Sequence, residues 1–161
     1  FFSKHCIGAI PIDRKDRKGE AVRLCIDLLT RLSSIWLVLF PEGTRSQTGK
    51  ISAFKKGVST FSLRSNVPIL FLFLDGAYDR WPKGAGFASP GPLTVYVGPV
   101  QKPAPIQEVY SNYKTWVNSI KPGLFLDDTT VEEDLLQEGI SDSDRAIAEE
   151  EAANTTTKNN N

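Results

Sequence analysis

Strand-length apolar runs alternate along this chain with stretches whose apolar residues return every third or fourth position. Residues 6–12 are apolar enough for an interior strand. Val22, Cys25, Ile26, Leu29 and Leu32 then repeat at helical spacing, with Arg23, Asp27, Thr30 and Arg31 opposite them. That is an amphipathic helix laying one face on a sheet. Residues 35–40 form an unbroken apolar run, which predicts a buried strand stopped by Pro41 and Gly43. Strand, helix and strand in this order predict a βαβ unit with a right-handed crossover. A second helix is expected from Phe54 to about Arg64, and residues 67–74 read as another buried strand. Residues 93–97 alternate as a strand that Gly98, Pro99 and Val100 close. Val109, Tyr113, Trp116, Val117 and Ile120 give a third helical stripe before Lys121 and Pro122. The pattern predicts one α/β domain, a mostly parallel or mixed sheet flanked by helices, without internal repeats.

At 161 residues there is room for one domain with a real core. No apolar run approaches the roughly 18 residues of a membrane span. The chain has no Met and opens in mid-fold on Phe1 and Phe2 without a signal-peptide pattern, so it reads as part of a longer protein. Cys6 and Cys25 lack metal-ligand or redox spacing and read as reduced core thiols. The formal net charge of zero conceals a split. Residues 1–123 carry 17 Lys and Arg against 8 Asp and Glu, whereas residues 124–161 carry 2 against 11. A basic body suits an anionic lipid surface or a phosphorylated substrate; no nucleic-acid partner is expected. The acidic stretch, ending in Asn and Thr, is expected to be disordered. The expected boundary near Lys121, Pro122 and Gly123 gives a domain over 1–123 and a tail over 124–161.

The chemistry concentrates at Phe40, Pro41, Glu42, Gly43, Thr44, Arg45 and Ser46. Pro41 and Gly43 turn the chain and bring Glu42, Thr44 and Arg45 to a strand end. An arginine beside backbone donors freed by a glycine turn suits an anionic, oxygen-rich group such as phosphate. Glu42 could orient that arginine or accept a hydroxyl. The same residues also fit a plain turn with a solvated charge pair. Lys55 and Lys56 read equally as a solvated first helical turn, although cations oppose the dipole there.

These seven residues resemble the third motif block of the lysophosphatidic acid acyltransferases, the glycerolipid acyltransferase family. Gly8, Ala9, Ile10, Pro11, Ile12, Asp13 and Arg14 resemble the second block, with Pro11 as a mild departure. Val67, Pro68 and Ile69 resemble the fourth, a valine–proline element lining the acyl or substrate pocket. The resemblance extends over about residues 8–120. It implies that Arg14, Glu42, Gly43, Thr44 and Arg45 hold the acceptor's phosphate and glycerol, with Arg14 and Arg45 closing on one phosphate. Lys56, in a phenylalanine–lysine–glycine segment, is a second-rank ligand.

The resemblance implies direct transfer of an acyl group from acyl-CoA or acyl carrier protein to 1-acylglycerol 3-phosphate, giving phosphatidic acid. It implies no cofactor, no metal and no covalent enzyme intermediate. The partners implied are a lysophospholipid acceptor, the acyl donor and an anionic membrane surface. The protein would be membrane-associated, its site facing the cytoplasm or an equivalent reducing compartment. Glycerol 3-phosphate or another lysophospholipid is the alternative acceptor. The family's first block, His-x-x-x-x-Asp, fails here: the only histidine is His5, and Ile10 stands five residues on. No catalytic residue is assigned within the chain, which alone is expected to be nearly inert. A non-catalytic phospholipid-binding protein is the other reading.

Overall fold

The computed structural model describes residues 20–126. The expected first strand at 6–12, Cys6, His5, Arg14 and most of the acidic stretch lie outside the described residues.

Helix α1, Glu20–Arg31, follows the predicted stripe and buries Cys25 as a free thiol. Its main neighbour is helix α2, Gly57–Ser65, rather than a sheet. Helix α2 starts three residues later than expected from Phe54. Two short hydroxyl bonds tie it down: Ser59 Oγ donates to Ala104 O at 2.6 Å and Ser62 Oγ to Val67 O at 2.6 Å. Each gives the hydroxyl of a buried serine its hydrogen-bond partner.

Strand β1, Ile69–Asp75, is followed by the single helical turn α3, Ala77–Arg80. Strand β2, Thr94–Gln101, pairs with β1 antiparallel, and helix α4, Ile106–Ile120, crosses one face of the pair. The described sheet is thus two-stranded and antiparallel. Residues 35–40 join no sheet among the described residues. Trp36, Val38 and Phe40 are each at least 70% exposed. The expected buried strand is therefore an exposed segment here, because nothing described supplies the ladder that would cover it.

The expected turn at Gly98, Pro99 and Val100 is also corrected. Strand β2 runs through it, with Leu70 opposite Val100 and Leu72 opposite Val97, so the register slips across one bulge. A bulge tolerates Pro99, which has no N–H to give to a ladder. Gly98 is required by space: a Cβ there would lie 2.6 Å from the Trp116 ring.

The core lies between α4 and the inner face of the sheet. Phe71 sits 5.3 Å from Tyr113 and 6.1 Å from Trp116, while Phe73 stacks on Tyr96 at 5.8 Å. Phe54 meets Tyr110 and Tyr113 at 5.2 and 5.1 Å. Such ring pairs contribute about 0.5–1.5 kcal/mol each beyond their burial. Val109 and Val117 are fully buried beneath them. The packed chain continues through Leu126. Ile51 N–H donates to Leu124 O, Leu126 N–H donates to Ile51 O, and Phe125 is buried in the core. Lys121 Nζ donates to Asp75 Oδ1 at 2.7 Å, joining the end of α4 to the end of β1.

Candidate functional site

The motif of residues 40–46 folds as a tight turn that leads into an exposed loop. Gly43 N–H donates to Phe40 O at 3.0 Å, and Gly43 takes a φ of 68°, the left-handed conformation that glycine adopts freely. Lys55 N–H donates to Pro41 O at 2.7 Å. That bond lays the Lys55 stem across the turn, where its Cγ would be 3.6 Å from a Cβ at position 43.

Glu42 points inward. Its Oε2 accepts both the Ser52 N–H at 3.0 Å and the Ser52 hydroxyl at 2.9 Å. Its negative charge also acts on Tyr113 in α4. Burial first, and then Glu42, push the Tyr113 phenol up to about 12. That phenol donates to Leu72 O at 3.1 Å. Glu42 thus fastens the turn to the following chain instead of pairing with Arg45.

Arg45 is exposed. Its guanidinium lies 4.9 Å from the centre of the Trp81 ring, and Nη1 reaches Pro82 O at 3.4 Å. Among the described residues no carboxylate forms an ion pair with it. Thr44 is exposed too, with its hydroxyl 3.5 Å from Arg45 O, a contact at the limit of a hydrogen bond. Beyond Arg45 the loop is pinned by Ser46 Oγ donating to Lys50 O at 2.7 Å and by Tyr78 OH donating to Gln47 O at 3.0 Å. Lys56 takes the position before α2 without capping it through its side chain. The neighbouring Lys55 is the lysine whose backbone and stem touch the turn.

Next to the turn opens an apolar cavity of about 480 Å³. Its walls include residues 35–39 and Pro41, the start of β1 and Tyr113. Val67, Pro68 and Ile69 line it, as do Phe54 and Phe71. A volume of this size is within the range of about 300–1,000 Å³ typical of small-molecule sites. Pro41 belongs to both the cavity wall and the turn. The cavity thus adjoins the turn through Pro41, while the Arg45 guanidinium lies against Trp81 and Pro82, outside the lining.

The structure brings Glu42, Gly43, Thr44 and Arg45 into one loop and Val67, Pro68 and Ile69 into one wall. Arg14 lies outside the described residues. Sequence reasoning missed Ser52, Lys55, Tyr78, Trp81 and Tyr113 as partners of the motif. Only Trp81, a large ring in a glycine-rich loop, carried a signal; Ser52 and Tyr113 are joined to Glu42 by the fold alone.

Residues 2–72 match the acyltransferase family. The match takes in the turn, the lysines after it and the cavity wall as far as β1, so the likeness carried by the motif blocks is a likeness to that family. More narrowly, the chain is similar to 1-acyl-sn-glycerol-3-phosphate acyltransferases. The Limnanthes douglasii enzyme of that name is 39% identical over 94 residues, covering 56% of this chain and 33% of the relative. The alpha form from Mus musculus is 36% identical over 97 residues, covering 57% and 33%. A chloroplastic one from Brassica napus is 31% identical over 94 residues, covering 56% and 27%. The chain spans about a third or less of the length of these relatives. No solved structure matches it.

Proposed function

We propose that this chain is the acceptor-binding part of an enzyme that acylates 1-acylglycerol 3-phosphate to phosphatidic acid. One observation carries the reading: a glycine turn bearing an exposed arginine, with no carboxylate partner among the described residues, borders an apolar cavity. An amphiphile with a phosphate at one end and an acyl chain at the other fits that pairing of surfaces. Arg45 offers a planar fork of donors to the phosphate, and Lys55, whose stem crosses the turn, adds positive charge nearby. Val67, Pro68 and Ile69 supply apolar contact to an acyl chain. Arg14 is assigned to the same phosphate by its motif, and Lys56 ranks behind Lys55. Glu42 holds the turn in shape through Ser52.

In the reaction the acceptor's free hydroxyl oxygen attacks the thioester carbonyl. A C–O bond forms, the C–S bond breaks, and the hydroxyl proton passes by way of a base to the sulfur, so the donor leaves as a thiol. Acyl-CoA or acyl carrier protein serves as donor, and no metal or further cofactor is needed for this balance. The described residues include no histidine to act as that base. General-base assistance contributes about 10²–10⁴ in rate, so this chain alone binds without turnover at an enzymatic pace. The sheet becomes a mixed one when residues 35–40 join β1 and β2, and the protein works at a membrane surface. Among the described residues no helix is long and apolar enough to cross a membrane.

The test is calorimetric titration with 1-acylglycerol 3-phosphate and with 1-monoacylglycerol, which lacks the phosphate. Binding that prefers the phosphorylated lipid, and falls at least about tenfold in Arg45→Ala, is expected from the loss of a charged hydrogen bond. Equal binding of the two lipids would overturn the reading. A thioester-consumption assay on the same chain should show no enzymatic turnover.

A further inference from the structure

We propose that Trp81 is a positioning residue for Arg45, holding its guanidinium flat so that its outer donors face an anionic head group. The inference rests on the reading of Arg45 as the phosphate ligand. Trp81 belongs to neither hydrophobic cluster of the described core and is half exposed, so core packing does not explain so large a ring there. Yet the ring is fixed. Trp81 N–H donates to Ala77 O at 2.9 Å, and its indole Nε1–H donates to Ala85 O at 3.1 Å. The loop that carries it is closed at its base. Ser89 N–H donates to Arg80 O at 2.7 Å, and Arg80 Nη1 donates to Pro90 O at 2.8 Å. Arg45 lies against this anchored ring at 4.9 Å, with Nη1 directed at Pro82 O.

A guanidinium that stacks on an indole gives up none of its in-plane N–H donors to the contact. Among the described residues the long Pro82 contact is the one hydrogen bond drawing on the guanidinium, which leaves its remaining edge to a bidentate approach by phosphate oxygens. The same stacking removes rotamers that a free arginine would have to lose on binding. The Tyr78 bond to Gln47 O clamps the loop after Arg45 to the turn that precedes Trp81. Arg45 is thus held from both ends.

The experiment uses the 161-residue chain, with glycerol 3-phosphate as a soluble probe. Affinity is read by calorimetry, and the tryptophan indole N–H signals by proton–nitrogen NMR. Trp81→Leu is expected to weaken binding about 3- to 10-fold, the scale of a partly exposed cation–π contact. Trp81→Tyr should recover most of that loss, because a ring face is restored. In the native chain the indole signal absent from Trp81→Tyr should shift on titration, and that shift should vanish in Arg45→Ala. If Trp81→Leu binds like the native chain while Arg45→Ala is impaired, the role of Trp81 is overturned and that of Arg45 stands. Equal losses in Trp81→Leu and Trp81→Tyr would also overturn it, as a structural effect. If Arg45→Ala binds like the native chain, or the native chain binds no probe, the phosphate reading fails first and the Trp81 role falls with it. Should Trp81→Leu fail to fold, the Trp81→Tyr affinity and the indole shift decide the matter.

Discussion

Glu42 shows how one side chain in the motif is spent on architecture. A partly buried carboxylate is costly unless donors surround it, and Ser52 supplies two to the same oxygen. Ser52→Ala keeps the backbone bond and loses the hydroxyl, so unfolding in urea should show a loss of about 1.5 kcal/mol, the low end for bonds to a charged group. Unchanged stability would mean that water replaces the hydroxyl fully. Tyr113 adds a pH dependence. Its phenol titrates at about 12 in the folded protein, against 10.0 ordinarily, so folding favours the neutral form. That contribution is fully present below pH 10 and is lost as the pH rises through about 12. Tyr113→Phe should flatten this part of the alkaline stability profile, read by circular dichroism between pH 9 and roughly 12. A profile of unchanged slope would show that other groups govern the alkaline limit.

At the scale of elements, what sequence could reveal was set by local periodicity. The stripe of α1 and the strand at β1 were legible because their apolar spacing is fixed by residues within a few positions. Helix α4 was legible from Val109 onward for the same reason, although it begins at Ile106. Residues 35–40 carry the composition of a buried strand, but burial needs neighbours that no local pattern contains. Gly98 and Pro99 look like a turn because both residues favour turns; a bulge uses the same two properties within a strand. The candidate site divides in the same way. Arg45 and the wall at Val67, Pro68 and Ile69 could be picked from contiguous residues, whereas Ser52, Trp81 and Tyr113 reach the turn only through tertiary contacts. The bulge supplies a sharp test. Gly98→Ala drives a methyl into the Trp116 ring, and overpacking of this kind costs about 1–3 kcal/mol. Thermal unfolding should shift down accordingly. An unaltered midpoint would mean that Trp116 swings aside at no cost.

For the whole molecule, the charge split and the end of the core must be considered together. Residues 127–161 carry 2 Lys and Arg against 11 Asp and Glu, and residues 1–126 carry 17 against 8. The acidic stretch either screens the basic face or serves only to keep the chain in solution. A cut after Gly123, where composition alone puts the boundary, would not separate these roles. It removes Phe125, which is buried and adjoins the Ile51 bridge, and losing a buried Phe costs about 3–5 kcal/mol. A cut after Leu126 removes the same charges and leaves the described core whole. The chain ending at Leu126 should therefore keep the native melting behaviour, while the chain ending at Gly123 melts much lower. If the tail screens, the Leu126 chain should bind anionic vesicles more tightly than the full chain at low salt. Raising the salt should erase that difference as the Debye length shrinks from about 30 Å at 0.01 M to about 8 Å at 0.15 M. Equal vesicle binding at every salt concentration would leave solubilisation as the role of the tail.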